Sequence, residues 1–348
     1  MRYRWIPYQE SMQQEWDQLA QKKGTVFHTT GFRQILLESF PYRCGYQAFV
    51  DNTGKICGLL PLVIGRNLKL QKVGVSLPFA NQVDVCADMP ELIAPILATI
   101  SQMQQTLGLS ELEIRLKSQD VVRTLWRANL DNYTFVLPLL TEEEQTLAQA
   151  SPGCRNHVRK TYKNDWFAVS FDHNRLAEFY EVYVRRMKQL GSPAPGLKFF
   201  QRFFTYLPDS ATLLTVLDRK TGRVIGGMLL LKSPADQTLY YPYGANLIEY
   251  NHQYLNNFMY WEAAKYGIRC GLKSLDLGRS QTDSGTYRYK SQWGAQPVQL
   301  RYLRYGATAG ELSTNERETF RYAIALWKRL PRLLTDPLGR KVIPFLLP

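Results

Sequence analysis

A chain of 348 residues exceeds the roughly 100 to 200 usual for one domain and predicts two; with 45% hydrophobic and 13% aromatic residues each can bury a core, which excludes a disordered chain. The net charge of +13, from 43 Lys and Arg against 30 Asp and Glu, favours phosphates or an anionic surface as partners. Five cysteines with no CxxC pair and four scattered histidines exclude a zinc-finger spacing and a disulfide framework.

In chain order, apolar periodicity and turn residues predict strand RYRWIPY, helix QQEWDQLAQKK, helix GFRQILLESF, strand YQAFVD, strand KICGLLPLVIG, a strand near VGVSLPF, helix ELIAPILATISQMQQTL and strand ELEIRL. The second half gives strand YTFVLPL, helix NRLAEFYEVYVRRMKQL, helix LKFFQRFFTYL, strands TLLTVLD, RVIGGMLLLK and TLYYPYGA, helix LNNFMYWEAAKYG, strand SLDLG and a closing strand VQLRYLRY. The order β-α-α-β-β-β-α-β occurs twice. Hairpins followed by one crossover helix and a parallel strand make a mixed sheet with helices on both faces, an α+β (mixed-sheet α/β) fold. The expected boundaries are 1–131 and 132–310, with a helical tail at 311–348. No apolar run approaches the roughly 20 residues of a spanning helix, and MRYRWIPYQE has no apolar signal core. The expected compartment is the cytoplasm.

The two halves also match in letters. AFVDNTGKICGLLPLVIG (48–65) parallels TVLDRKTGRVIGGMLLLK (215–232), with turn glycines Gly54 and Gly222 at an offset of 168. LGLSELEIR parallels CGLKSLDLGR, with Gly108 and Gly271 at an offset of 163. Two matches in the same order favour a duplicated fold. After the second copy, SLDLG runs into a polar stretch, GRSQTDSGTYRYKSQWG (278–294), whereas ELEIRL continues into KSQDVVR.

The element order is similar to the GCN5-related N-acetyltransferase (GNAT) fold in tandem. The helix ending in RRMKQLGSPAPGLKFFQRFF (185–204), the LNNFMYWEAAKYG helix and above all DLGRSQTDSGTYRYKSQWG (276–294) resemble the FemAB-related acyltransferases, in which G-R-S is followed by G-T-x-x-x-K and W-G. FHTTGF, GLLPLV and SLPFAN resemble its first half, so the likeness spans roughly residues 25 to 306. It implies transfer of an acyl or aminoacyl group to an amine. Classical members take the group from aminoacyl-tRNA and add it to peptidoglycan precursors; the relatives with the G-R-S pattern are associated with exopolysaccharide and cell-envelope genes.

A strand's carboxyl end is where open α/β sheets place their sites. There Gly278 permits a turn or a close approach, and Arg279 offers a fork for carboxylate or phosphate. Lys290 can stabilise an oxyanion or hold a donor phosphate, and it matches the motif lysine that classical members place near the donor. Asp276 and Tyr287 complete the candidate catalytic set, either as proton carriers or as structural groups. Ser280, Tyr289, Glu262 and His28 are the candidate substrate contacts. Their structural alternatives are a Glu262–Arg279 or Asp276–Arg279 salt bridge, tyrosines alternating on a strand, and Trp293 in the core. Arg155, Arg159 and Lys163 align at i, i+4 and i+8, and with Lys160 they form a cationic stripe. It suits tRNA or a diphosphate, or else a solvated face.

No bound cofactor or metal is expected. The donor is aminoacyl-tRNA or acyl-CoA. Against CoA, ANLIEYNHQYLNN (245–257) and ANQVDVCADMPE (80–91) lack the glycine-rich turn that grips a pyrophosphate. The acceptor partner is a glycan or peptidoglycan precursor. The tail FRYAIALWKRLPRLLTDPLGRKVIPFLLP (320–348) either lies on the inner membrane face or packs back as a closing helix. The rival functions are an acyl-CoA-dependent GNAT N-acetyltransferase and a noncatalytic RNA- or membrane-binding module.

Overall fold

The repeated turns form in the same way in both halves. Gly54 and Gly222 take φ of +89° and +68°, where a side chain would be strained, and the aspartate opening each turn, Asp51 or Asp218, accepts from the turn's amides. A computed structural model describes residues 3–117, 127–129, 132–306 and 314–347. From residue 118 onward, the KSQDVVR segment lies outside the described residues.

The first half comprises β1 (Arg4–Pro7), α1 (Gln13–Lys23), α2 (Thr30–Ser39), β2 (Arg43–Cys44), β3 (Gln47–Val50), β4 (Ile56–Leu60), β5 (Val63–Arg66), β6 (Lys72–Val75), β7 (Cys86–Ala87), α3 (Ile93–Thr106), β8 (Glu111–Leu116) and β9 (Arg127–Asn129). The second comprises β10 (Asn132–Pro138), α4 (Glu143–Ala148), α5 (Pro152–Lys163), β11 (Phe167–Ser170), α6 (Leu176–Leu190), α7 (Leu197–Tyr206), β12 (Ala211–Asp218), β13 (Val224–Ser233), β14 (Thr238–Asn246), α8 (Leu255–Arg269), β15 (Ser274–Gln281), α9 (Gly285–Ser291), β16 (Gln296–Gln299) and β17 (Arg301–Tyr305). The tail forms α10 (Thr314–Arg329) and α11 (Arg332–Leu346).

Two expectations need correction. KICGLLPLVIG is two strands, not one: Pro61 has no N–H to give a ladder, so β4 and β5 separate there and join different sheets, β1-β3-β4-β7 and β2-β5-β6-β8-β17-β9. YTFVLPL, the first strand of the second half in sequence, lies between β15 and β16 in the seven-stranded sheet β11-β12-β13-β14-β15-β10-β16. The edge place beside β12 belongs to Phe167–Ser170, a strand too short to stand out. VQLRYLRY is divided: β16 pairs with β10, while β17 crosses to the first half and pairs with β8, Leu303 opposite Ile114.

That crossing runs one way. β10 and β16 stay in the second half's own sheet, whereas β17 follows them in sequence but pairs antiparallel with β8 and β9 of the first half. The first half's six-stranded sheet is thus completed by the second half's chain. The contact between halves is also apolar. Phe32 of α2 meets Phe203 of α7 at 6.0 Å between centroids, and Phe40 and Phe79 both pack on Phe199. One continuous core takes in residues from Trp16 to Leu347, with a smaller one between α3 and the first-half sheets.

Candidate active site

In each half, a parallel strand pair runs for three residues and then parts at a buried carboxylate. In the first, Val73, Gly74 and Val75 of β6 lie opposite Glu111, Leu112 and Glu113 of β8; in the second, Thr238, Leu239 and Tyr240 of β14 lie opposite Ser274, Leu275 and Asp276 of β15. Glu113 and Asp276 therefore occupy equivalent places, and Arg115 is the counterpart of Gly278.

The two splits are closed by different means. In the first, the Arg115 side chain fills the space. Its guanidinium donates to Glu113 at 2.8 Å and to the carbonyls of Ala80 at 3.0 Å and Leu347 at 2.8 Å. Burial would raise the Glu113 carboxyl, but Arg115 and Arg304 outweigh it and hold that group below its ordinary value. In the second, Gly278 turns at φ +78° and leaves room for the first half's Asn81 amide, 3.6 Å from where a Cβ would stand. Asp276 accepts from the Thr134 hydroxyl at 2.6 Å, the Gly278 amide at 2.7 Å and the Gln82 amide at 3.1 Å. With no arginine on it, burial raises its pKa. Three donors from three segments identify Asp276 as the group that ties the halves together at the strand end.

The polar stretch beyond is not a plain loop. Ser284 caps α9, its hydroxyl accepting from the Tyr287 amide, and the helix carries Lys290 back beneath the strand end. There the buried ammonium donates to the carbonyls of Gly278 at 2.8 Å and Arg279 at 3.1 Å. Burial lowers its pKa to about 8 although Asp276 opposes the shift, and Arg279 adds to it. Beyond the strand end opens a cavity of about 420 Å³ between β15, the start of α9 and β17, lined by Arg279, Ser280, Ser284, Thr286, Tyr302 and Arg304, among others. The Ser280 side chain is buried and its hydroxyl has no hydrogen-bond partner among the described residues. Such an orphan is costly unless something fills it. Arg279 is exposed and donates to the Tyr302 hydroxyl at 3.3 Å. Tyr302 in turn donates to the Asn81 carbonyl at 2.7 Å.

Neither expected salt bridge to Arg279 forms. Asp276 is taken as described, and Glu262 accepts from Tyr162 and from Lys265 at 2.9 Å. Tyr287 and Tyr289 are helical rather than alternating strand residues: Tyr287 packs edge-on to Phe135 and Tyr289 edge-on to Tyr260. Trp293 is in the core, stacked on Tyr260. On α5, Arg155 donates to the carbonyls of Ala148 and Ala150, and Lys160 lies over the Tyr254 ring, so the exposed part of the stripe is Arg159, Lys160 and Lys163. The structure thus brings Asp276, Arg279, Ser280 and Lys290 together and leaves Glu262, His28 and the stripe elsewhere. Gln82, Thr134, Tyr302 and Arg304 join the site without having been singled out. Only the SLPFAN motif beside Gln82 hinted at any of them.

His28 serves the fold. Its Nδ1 accepts from the Thr25 amide at 3.0 Å, so Nε2 carries the proton donated to the Asp84 carbonyl at 2.6 Å. Burial lowers the ring's pKa from 6.5 to about 4 despite that carbonyl. The unfolded ring takes up its proton first, so this contribution is complete above pH 6.5 and drains away as pH falls towards 4, by up to about 3 kcal/mol. Urea unfolding of the parent chain and of His28→Asn is expected to show a variant less stable at pH 7.5 whose stability changes less between pH 6.5 and 4. Parallel pH curves would contradict the assignment.

Residues 153–291, from the first turn of α5 to the end of α9, match the family described as acetyltransferase (GNAT) domain. Within the second half, this stretch is similar to a GNAT acetyltransferase domain. The fold is similar to that of FemX, with a TM-score of 0.67 at 14% identity over 86% of this chain and 96% of that one. L-PGS from Bacillus licheniformis is similar in fold at a TM-score of 0.55 and 11% identity, covering 86% and 97%. A tandem GNAT protein from the clavulanic acid biosynthesis pathway gives 0.53 and 12%, covering 90% and 100%. No curated protein matches the sequence. The expected FemAB likeness therefore holds in the fold.

Proposed function

We propose that this acyltransferase moves an acyl or aminoacyl group onto an amine of a cell-envelope glycan or peptidoglycan-type precursor in the cytoplasm, with its site at the end of β15. The observation that carries this reading is the cavity over the orphaned Ser280 hydroxyl with Arg279 at its rim. A hydroxyl and a guanidinium suit the phosphate or carboxylate of an anionic precursor. Lys290 is assigned to the oxyanion: two of its N–H bonds are spent on carbonyls, and the third is left for a substrate oxygen. Asp276 and Tyr287 are assigned to orientation and proton handling behind it. The working halves are taken as 1–131 and 132–310, with the crossing of β17 joining them.

The donor favoured is aminoacyl-tRNA, met by Arg159, Lys160 and Lys163. The place where a CoA pyrophosphate would approach the start of α8 is a 3-10 segment, Ile248–Gln253, followed by Tyr254 at φ +61° with the His157 ring stacked on it at 4.1 Å. Purified protein incubated with charged tRNA, or with acyl-CoA, and with amino-sugar or peptide-bearing nucleotide precursors should yield a mass-shifted precursor. No product from either donor would end the proposal. A ligand at 100 times its Kd stabilises by about 2.7 kcal/mol, which is several degrees in Tm. Acetyl-CoA is expected to give no shift, and a shift of that size would transfer the assignment to the CoA-dependent reading.

A further inference from the structure

We propose that the outer face of α10 and α11 is a seat for an anionic phospholipid surface. The two helices meet at Pro331, and α11 is fastened to the body of the protein. Thr335, Gly339, Ile343 and Pro344 face inward, the Tyr42 hydroxyl donates to the Pro344 carbonyl at 3.0 Å, and Arg332 pairs with Glu181 at 3.0 Å. A Cβ on Gly339 would lie 3.2 Å from Pro193 and 3.3 Å from Trp327, so this glycine allows α11 to pack close. The tail thus closes back on the body, as one of the two expectations held, but only through one face.

The other face is apolar and bare. Leu333 is 88% exposed, Tyr322 76%, Leu326 59%, Leu334 55% and Leu338 45%. Five large apolar side chains within 17 positions form a patch that water does not favour. Cations are interleaved with them: Arg321, Lys328, Arg329, Arg340 and Lys341 are all exposed. The one acid between residues 321 and 347 is Asp336, which Arg332 holds at 3.1 Å.

Charge decides among the occupants. A second copy laid on the same face would set five cations against five, so self-pairing is opposed. A nucleic acid would use the cations and leave the leucines in water. A bilayer rich in acidic headgroups uses both, the leucines entering the acyl boundary and the cations meeting phosphates. Among the described residues no helix is long and apolar enough to cross a membrane, so the tail lies on the surface. This inference stands apart from the proposed chemistry.

Flotation of the full chain with phosphatidylcholine vesicles, with and without phosphatidylglycerol, tests it. Binding is expected to the anionic vesicles alone and to fall as the ionic strength rises from 0.1 to about 1 M, where the screening length shrinks from about 10 to about 3 Å. Leu333→Glu combined with Leu334→Glu should reduce it roughly tenfold or more. Both side chains are exposed, so Tm should stay unchanged. Absence of binding to anionic vesicles, or equal binding by the double variant, overturns the proposal. A dimer in light scattering that the double variant disperses would also overturn it, assigning the face to self-association instead.

Discussion

Lys290→Met is expected to lower transfer by roughly 100-fold or more, the scale of losing one preorganised oxyanion donor, while leaving the protein folded. The two effects separate for a physical reason. Lys290 is 5% exposed, and its ammonium sits where burial drives its pKa down to about 8. Met fills a similar volume without a charge to desolvate, which offsets the loss of two hydrogen bonds to the Gly278 and Arg279 carbonyls. A side chain that merely pinned the strand end would give the reverse pattern, a lowered Tm with nearly full activity. The pH profile is a second test. If the ammonium stabilises charge, activity is whole below pH 8 and is lost as pH rises through it. A lysine acting as a base would instead gain activity through the same range. Lys290→Arg is not a conservative rescue, because a planar fork cannot occupy the space of a compact ammonium.

What could be read in the letters was local or repeated. Turns such as Asp51 to Gly54 and Asp218 to Gly222 are fixed by their own residues, and the 163-residue offset that aligned Glu113 with Asp276 holds in the strand register. α1 is formed over the predicted span, because its apolar stripe at Trp16, Leu19 and Ala20 has helical spacing. The place of β10 between β15 and β16, and the crossing of β17 to the first half, had no local signature. Both strands alternate as any half-buried strand does, and their partners lie far away in sequence. α9 was hidden because GTYRYKS carries β-favouring tyrosines and little apolar periodicity; the Ser284 cap and the buried Lys290 contacts decide its form. For the same reason His28 looked like a ligand-binding residue until Thr25 and Asp84, 56 residues from it, were seen to take both nitrogens.

The largest effect on stability is expected from Arg115→Ala, about 3 to 5 kcal/mol and roughly 10 °C in Tm. The side chain is 5% exposed and meets Glu113, Leu77, Ala80 and Leu347 at once, with Tyr302 beneath its guanidinium at 5.2 Å. Its removal leaves a buried carboxylate with only Arg304, three carbonyls short of a donor, and a void in the first-half split. Thermal unfolding measures the loss, and a change under 2 °C would show that the pair contributes little. Activity should fall as well, although Arg115 does not itself line the cavity. The Leu77 and Ala80 carbonyls that it holds belong to the segment that delivers the Asn81 carbonyl to Tyr302 and the Gln82 amide to Asp276. Pairing Glu113→Gln with Arg115→Met should recover part of the Tm, because no buried carboxylate is then left short of its partner, although the three carbonyls stay without a donor. It should not recover the activity, because methionine has no donors for those two carbonyls. The arginine that closes the first half's split thereby holds one wall of the second half's site, which explains why a duplicated fold keeps its two strand ends so different.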